Sequence, residues 1–106
     1  MSYVDGYVLP VPRKKLAAYR RMAADAGKVW RKHGALQYVE AVADDVKPGK
    51  WTSFPQAVKL KRGEVVIFSF VVYRSRAQRD RVVQALESRG IRYRIVTLHG
   101  RGYQWR

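Results

Sequence analysis

Alternating polar and apolar positions predict a first strand over residues 3–11. One face of this strand is small and apolar and consists of Val4, Gly6 and Val8. The other face is larger and carries one carboxylate among aromatic and aliphatic side chains: Tyr3, Asp5, Tyr7 and Leu9. Because a face of small residues leaves room for a helix, we expect the predicted helices to pack on the face of Val4, Gly6 and Val8.

The next segment has apolar residues at three- and four-residue spacing, which predicts an amphipathic helix. Pro12 suits the first helical position, and Gly34 is a typical C-terminal stop. The apolar stripe between them consists of Leu16, Tyr19, Met22, Ala23, Ala26, Val29, Trp30 and His33. The opposite side is basic and carries Arg20, Arg21, Lys28, Arg31 and Lys32. The pattern therefore predicts one long helix with a basic outer surface.

Three strands are predicted between this helix and the next. Residues 35–43 alternate, so that Leu36, Tyr38, Glu40 and Val42 share a face. Residues 56–61 alternate with lysines, which predicts a short strand at a sheet edge, although its direction stays open. Residues 64–73 read EVVIFSFVVY and are apolar on both faces, which is typical of a central strand covered on both sides.

The spacing of Ser75 and Gln78 is that of a capping box, and it predicts a second helix that ends near Arg89. Alternation over residues 91–98 predicts a last strand. Together the elements predict a single α+β domain over residues 1–106. Its plan is the ferredoxin-like βαββαβ fold, in which an antiparallel sheet carries both helices on one face.

The second face of this sheet is too apolar to remain exposed to water in a monomer. Its exposed residues would include Tyr3, Tyr7, Leu9, Leu36 and Tyr38. Soluble monomers rarely expose apolar patches larger than roughly a few hundred Å². We therefore expect a homodimer, in which two sheets face each other as a dimeric α/β barrel around a small cavity. The alternative is a monomer in which the tail or residues 46–55 fold over this face.

The charge of the chain points to a second class of function. The formal net charge is +14, from 22 Lys and Arg against 8 Asp and Glu. Residues 74–106 contain nine of these bases, all of them arginine, against only Asp80 and Glu87. Guanidinium groups bind phosphate in a bidentate manner, so an Arg-rich nucleic-acid (RNA) binding protein is an alternative. The central strand lacks the basic, glycine-punctuated signature of RNA-recognition motifs, which disfavours that alternative.

Cysteine and histidine usage limits the chemistry. There is no cysteine, which excludes a thiol nucleophile and a Cys-ligated metal. The two histidines, His33 and His99, lack metal-ligand spacing, and the pair Asp44 and Asp45 is better explained by a turn or by a salt bridge to Lys47 or Lys50. We expect no metal and no cofactor. Neither a signal peptide nor a membrane span is indicated, so we predict a cytoplasmic protein that does not bind membranes.

Candidate site residues lie on the larger faces of the strands. Asp5 and Glu40 are the catalytic candidates, because a carboxylate in a partly apolar cavity has a raised pKa and can act as a general acid or base. The candidate ligand-binding residues are Tyr3, Tyr7, Tyr38 and Ser69. The alternative role of the two carboxylates is to pair with Arg or Lys at the dimer interface.

Several motifs together resemble one family. In chain order they are YVDG, HGAL, ADDVKPGK, SFPQAV and YRSR, and the similarity covers roughly residues 1–82. In these motifs the chain is similar to the YbaA-like family of small bacterial proteins of unknown function. The resemblance implies a ferredoxin-like fold of the dimeric α/β-barrel kind, and it implies no particular reaction.

Two departures from the family pattern accompany the resemblance. Ala41 stands where members usually have a cysteine, and residues 83–106 do not match the usual ending of the family. We hypothesise that this ending is diverged or out of frame relative to the family, which a comparison of the coding DNA in all three frames would test.

Three functions follow from the sequence. The first is a small-molecule-binding or weakly enzymatic dimeric barrel protein of unknown ligand. The second is the Arg-rich nucleic-acid binder, and the third is a structural interaction module without a ligand. The fold alone does not distinguish these three functions, so the distinction depends on the residues of the site.

Overall fold

Three strands form an antiparallel sheet in the computed structural model, which describes residues 2–88. They are β1 (Tyr3–Pro12), β2 (Gln37–Val42) and β3 (Glu64–Tyr73). Their order in the sheet is β1-β3-β2, and both outer strands run antiparallel to β3. The central place of residues 64–73, expected from their apolar character on both faces, is confirmed. The strand predicted over residues 91–98 lies outside the described residues.

Two long helices accompany the sheet, α1 (Leu16–Lys32) and α3 (Arg76–Ser88). Half of the predicted capping box of α3 is confirmed, because the Gln78 backbone N–H donates to Ser75 Oγ over 3.1 Å. The Gln78 side chain accepts the backbone N–H of Arg74, one residue before the position that a capping box requires. Helix α1 begins later than expected. Pro12 still pairs with Glu64 in the sheet, and residues 13–15 form a 3₁₀ turn before the α-helix starts. Among residues 2–88, no helix has the length and apolar character that are needed to cross a bilayer.

The short strand predicted over residues 56–61 is wrong. The chain instead forms a helical turn, α2 (Phe54–Ala57), which Ser53 caps by accepting the Gln56 N–H at 3.4 Å. A serine cap followed by proline near the first helical position favours a helix start more strongly than a short alternation favours a strand. Val58 then turns inward and is fully buried. The local signal was therefore present in the Ser-Phe-Pro-Gln sequence.

The face on which the helices pack also differs from the prediction. Both α1 and α3 pack on the face of Tyr7, Leu9 and Tyr73, and not on the small face of Val4, Gly6 and Val8. The reason is that the small residues of the interface lie on the helix: Ala23 and Gly27 of α1 are buried. Large side chains of the sheet fill the space above them, so the two layers interdigitate.

The opposite face of the sheet is only partly covered. Val8, Val58 and Val66 form a second buried cluster, to which the segment after α2 contributes. Phe68 of this face stacks on Phe54 at a centroid distance of 5.4 Å and contacts Phe70. Beyond this cluster, Phe70 and Val72 are half-buried. Residues 54–60 thus cover one end of a sheet face whose other end is more open.

Candidate functional site

A cleft between α1 and β2 contains one of the two predicted catalytic carboxylates. Its volume is about 480 Å³, within the usual range for small-molecule pockets. Glu40 lies on the β2 side of this cleft. From α1 the cleft receives Tyr19, Arg20, Ala23, Gly27 and Arg31. The site is therefore formed within a single chain, between a helix and a strand of the sheet that it covers.

Two tyrosines hold the Glu40 carboxylate. Tyr38 Oη donates to Glu40 Oε1 over 2.6 Å, and Tyr19 Oη donates to Glu40 Oε2 over 2.8 Å. Tyr38 and Glu40 are two residues apart in β2, so both side chains point to the same face, where Tyr19 reaches them from α1. Each carboxylate oxygen thus accepts one phenol hydrogen bond, which fixes the orientation of the group.

Burial sets the electrostatics of this triad. Removal from water raises the pKa of Glu40 above its ordinary value, and the hydrogen bonds from Tyr38 and Tyr19 lower that pKa in part. Burial also raises the pKa of both tyrosines, and the adjacent carboxylate raises it further. The phenols therefore remain protonated donors at neutral pH, whereas Glu40 becomes a carboxyl group that can take up a proton more easily than a solvated glutamate.

Gly27 makes room for this arrangement. A Cβ at this position would lie 2.9 Å from Cδ1 and 3.2 Å from Cε1 of Tyr38, which is closer than carbon atoms pack. The absence of a side chain allows the Tyr38 ring to lie directly against α1, where it also contacts Trp30 at a centroid distance of 5.7 Å. Gly27 thus allows the packing that places Tyr38 within hydrogen-bonding distance of Glu40.

Two arginines place positive charge at the cleft. Arg20 and Arg31 line it together with Ala23 and Gly27, and all four lie on one side of α1 because they follow helical spacing. Arg31 Nε donates to the Gly27 carbonyl at 3.4 Å, which leaves its terminal nitrogens for other acceptors. The cleft therefore combines small apolar residues, a carboxyl group and exposed cationic side chains.

The other predicted catalytic carboxylate is part of the core. Asp5 is fully buried, and Arg79 of α3 donates to both of its oxygens from Nη1, at 3.1 and 3.2 Å. Arg79 Nη2 also donates to Tyr3 Oη at 3.1 Å. Asp5 thus pairs with a cation, as the alternative to catalysis expected, and this cation is supplied by α3 of the same chain. This ion pair connects β1 to α3 and explains the structural role of Asp5.

The remaining candidates lie beneath the helices. In the sheet register Ser69 of β3 lies between Tyr7 of β1 and Glu40 of β2, so the three form one row on the covered face. Tyr7 and Ser69 are both buried. Of the four predicted ligand-binding residues, Tyr38 lines the cleft, whereas Tyr3 contacts Arg79. In this register the four side chains share a strand face with Glu40, and that face is covered by α1 and α3 of the same chain.

Sequence reasoning missed Tyr19, Arg20, Arg31 and Arg79 as site or core polar residues. The helical pattern places Tyr19 in the apolar stripe of α1 and places Arg20 and Arg31 on its solvated side. A signal was available for the cleft, because Tyr19, Ala23 and Gly27 follow each other at four-residue intervals and form a row that ends in two small residues. No comparable pattern marks Arg79, which becomes a partner of Asp5 only through the packing of α3.

The other polar candidates take the expected modest roles. Asp45 and Lys47 form an exposed pair at 3.8 Å, and His33 ends α1, with Nδ1 2.9 Å from the Val29 carbonyl oxygen. In the part of the chain that the structure describes, no three acidic or histidine side chains come together as metal ligands would.

Glu40→Gln is expected to raise the stability of the protein at neutral pH and not at low pH. Because the pKa of Glu40 is raised from 4.5, the folded state binds more protons than the unfolded state above this pH, so wild-type stability falls as pH increases through the raised pKa. Glutamine cannot ionise, and its amide can still hydrogen-bond both phenols. We expect Tm at pH 7 to rise by about 1–3 °C, a small effect because solvent in the open cleft screens the carboxylate.

The measurement is thermal unfolding followed by circular dichroism between pH 4 and pH 8. Glu87→Gln, an exposed change of the same chemistry on α3, is the control and should show no such pH-dependent difference. A Glu40→Gln variant that is less stable than wild type at pH 7 would contradict the raised pKa.

Comparison with known proteins identifies the class of this chain. The sequence pattern of the family described as "Protein of unknown function (DUF1428)" matches residues 2–90, so the chain belongs to that family. It is 47% identical over 88 residues to "Uncharacterized protein YbaA" of Escherichia coli (strain K12), an alignment that covers 83% of this chain and 75% of that protein. The proteins of the same name from Escherichia coli O157:H7 and Shigella flexneri match with the same values. The family resemblance is thereby confirmed, and the function of the family is unknown.

Proposed function

We propose that this protein binds a small organic anion in the α1–β2 cleft and that Glu40 exchanges a proton with the bound molecule. One observation carries the proposal: a carboxyl group whose pKa is raised by burial lies in a 480 Å³ cleft, held by Tyr19 and Tyr38. A polar group oriented by two donors inside a partly apolar cleft is the arrangement expected of a binding or acid–base site.

The chemistry of the lining residues defines the ligand class. Arg20 and Arg31 favour a carboxylate or another planar anion, because guanidinium groups donate in a matching fork. Ala24 and Val42 supply accessible apolar lining, against which an aromatic or planar group can pack. Glu40 accepts a hydrogen bond from a hydroxyl or takes its proton when ionised. A hydroxylated aromatic carboxylate has all three features, and 4-hydroxybenzoate is a suitable probe.

A ferredoxin-like arrangement and a homodimer complete the proposal. The sheet order β1-β3-β2, with α1 and α3 packed on one face, is the order that the ferredoxin-like plan requires of its first three strands. The second copy would pack on the open face of Phe70 and Val72 and not on the tyrosine face, which the helices occupy. Light scattering should then report about twice the 12.3 kDa mass of one chain, and a single-chain mass would exclude the dimer.

The binding proposal is tested by titrating the ¹⁵N-labelled protein with 4-hydroxybenzoate and following backbone amide shifts. We expect saturable shifts at residues of α1 and β2, with a Kd of roughly 0.1–1 mM. Arg20→Gln together with Arg31→Gln should weaken binding about tenfold, because the carboxylate loses its partners. The control is Arg21→Gln together with Lys28→Gln, which removes the same charge from exposed positions of α1 that do not line the cleft.

Glu40 is tested separately by the pH dependence of the same titration. Binding of the phenol should weaken as pH falls and Glu40 becomes protonated, and Glu40→Gln should remove this dependence. The result that overturns the proposal is the absence of shifts in α1 and β2 up to roughly 10 mM probe. That result would favour the structural interaction module over a ligand-binding protein.

A further inference from the structure

Two short basic runs that are far apart in sequence meet at one end of the sheet. The first, Arg13 to Lys15, follows β1, and the second, Lys59 to Arg62, precedes β3. The last residue of β1 pairs with the first residue of β3, Pro12 with Glu64, and the Arg13 N–H donates to the Gly63 carbonyl over 2.9 Å. These bonds hold the two runs side by side, an arrangement that the linear sequence does not show.

Four of the cations line a common concavity. Its volume is about 520 Å³, and its charged residues are Arg13, Lys14, Lys61, Arg62 and Glu64. The four bases are exposed, and among residues 2–88 the structure shows no ion pair for any of them. Glu64 is the one acidic side chain in the group, and its Oε1 accepts the backbone N–H of Lys61 at 2.7 Å. Positive charge therefore exceeds negative charge by three at this place.

The backbone of the turn keeps this geometry defined. Glu64 N–H donates to the Lys61 carbonyl over 3.1 Å, and Gly63 has a φ of +82°, which glycine adopts without steric cost. Lys61 is thus the first residue of a hydrogen-bonded turn whose central positions are Arg62 and Gly63, and the Gly63 carbonyl is also bonded to Arg13. Two guanidinium and two ammonium groups on fixed backbone are suited to an anion with several oxygen atoms.

We propose that this cationic corner, formed by Arg13, Lys14, Lys61 and Arg62, binds the phosphate groups of a ligand. Phosphate accepts hydrogen bonds from guanidinium in a bidentate manner and from ammonium as a point charge, so both residue types contribute. The corner lies at the β1–β3 end of the sheet and shares no lining residue with the α1–β2 cleft. It is thus a second site, independent of the organic anion proposed above.

The test is a titration of the full chain with two probes, inorganic pyrophosphate and a single-stranded DNA of about 12 nucleotides. Amide shifts should concentrate at residues 12–15 and 61–64. The double variant Lys61→Gln, Arg62→Gln should weaken pyrophosphate binding about tenfold. The control Lys47→Gln, Lys50→Gln removes the same charge from exposed residues of another loop and should change the Kd by less than about twofold.

Each outcome bears on the proposal. Binding of both probes, with competition between them at the corner, supports a nucleic-acid source of the phosphate, and binding of pyrophosphate alone supports a small phosphorylated ligand. Equal weakening in the two double variants, or shifts spread over the whole surface, would overturn the proposal, because net charge and not the corner would then be responsible. The positions are exposed, so folding of the variants is expected to persist, and circular dichroism confirms it.

Discussion

Replacing Arg79 by alanine is expected to lower the free energy of unfolding by about 3–5 kcal/mol. The Arg79 side chain is only 10% exposed and its partner Asp5 is fully buried. The substitution leaves the carboxylate of Asp5 in the core without the guanidinium that donates to both of its oxygens. A buried charge deprived of its partner keeps its desolvation cost and loses the compensating attraction, which is why the loss exceeds that of a surface pair.

The loss is large on the scale of the whole domain. Domains of about 100 residues have unfolding free energies of about 5–15 kcal/mol, so the variant should have a strongly reduced Tm or be partly unfolded. Urea unfolding followed by circular dichroism measures it. Arg76→Ala is the matched control, because Arg76 lies in the same helix and is exposed, with Asp80 as its partner at 4.0 Å. If the two variants differ by less than about 1 kcal/mol, the Asp5–Arg79 pair does not have the proposed importance.

Trp30→Ala is expected to cost about 3–5 kcal/mol of unfolding free energy. Trp30 is 5% exposed and packs between α1 and the sheet, where its Nε1 donates to Tyr73 Oη over 2.8 Å. The truncation removes the largest side chain of the main core cluster and leaves a cavity that the surrounding strands cannot fill. It also removes the indole donor from a fully buried phenol group.

Trp51 provides a control for the same chemical change. This second tryptophan is 87% exposed and contacts Lys50, whose Nζ lies 5.3 Å from its ring centroid. Trp51→Ala should therefore change stability by no more than about 0.5–1 kcal/mol. Tyr73→Phe separates the hydrogen bond from the packing, with an expected loss of about 1–3 kcal/mol. Similar losses for Trp30→Ala and Trp51→Ala would contradict the described packing of α1.

The strands and the long helices could be predicted because their patterns are local. The two-residue period of β1, the apolar run of β3 and the helical stripe of α1 depend on neighbours in sequence, and Ser75 capped α3 as expected. The exception is residues 56–61, where six residues are too short a segment for alternation to predict a strand dependably. The Ser53 cap and the proline that follows favour a helical turn over a strand there, and the hydrogen bonds of that turn satisfy the backbone.

About half of the candidate site could be predicted from the sequence. Strand parity places Tyr38 and Glu40 on one face, and the register then adds Ser69 and Tyr7 to the same row. The other half depends on which helix residues reach that face. Tyr19 joins Glu40 across 21 positions of sequence, and Gly27 allows the approach by having no side chain. No local pattern encodes such a contact.

The sequence by itself determined the α+β composition, the central place of residues 64–73 and the shared strand face of Asp5 and Glu40. Tertiary structure decided which face of the sheet the helices cover. It also decided that Asp5 forms a buried ion pair with Arg79, whereas Glu40 lines the cleft with two tyrosine partners. Both faces are apolar enough to be buried, so periodicity alone does not distinguish them. The choice follows from complementary volumes, small residues on α1 against tyrosines on the sheet, and from the buried cation that Arg79 supplies to Asp5.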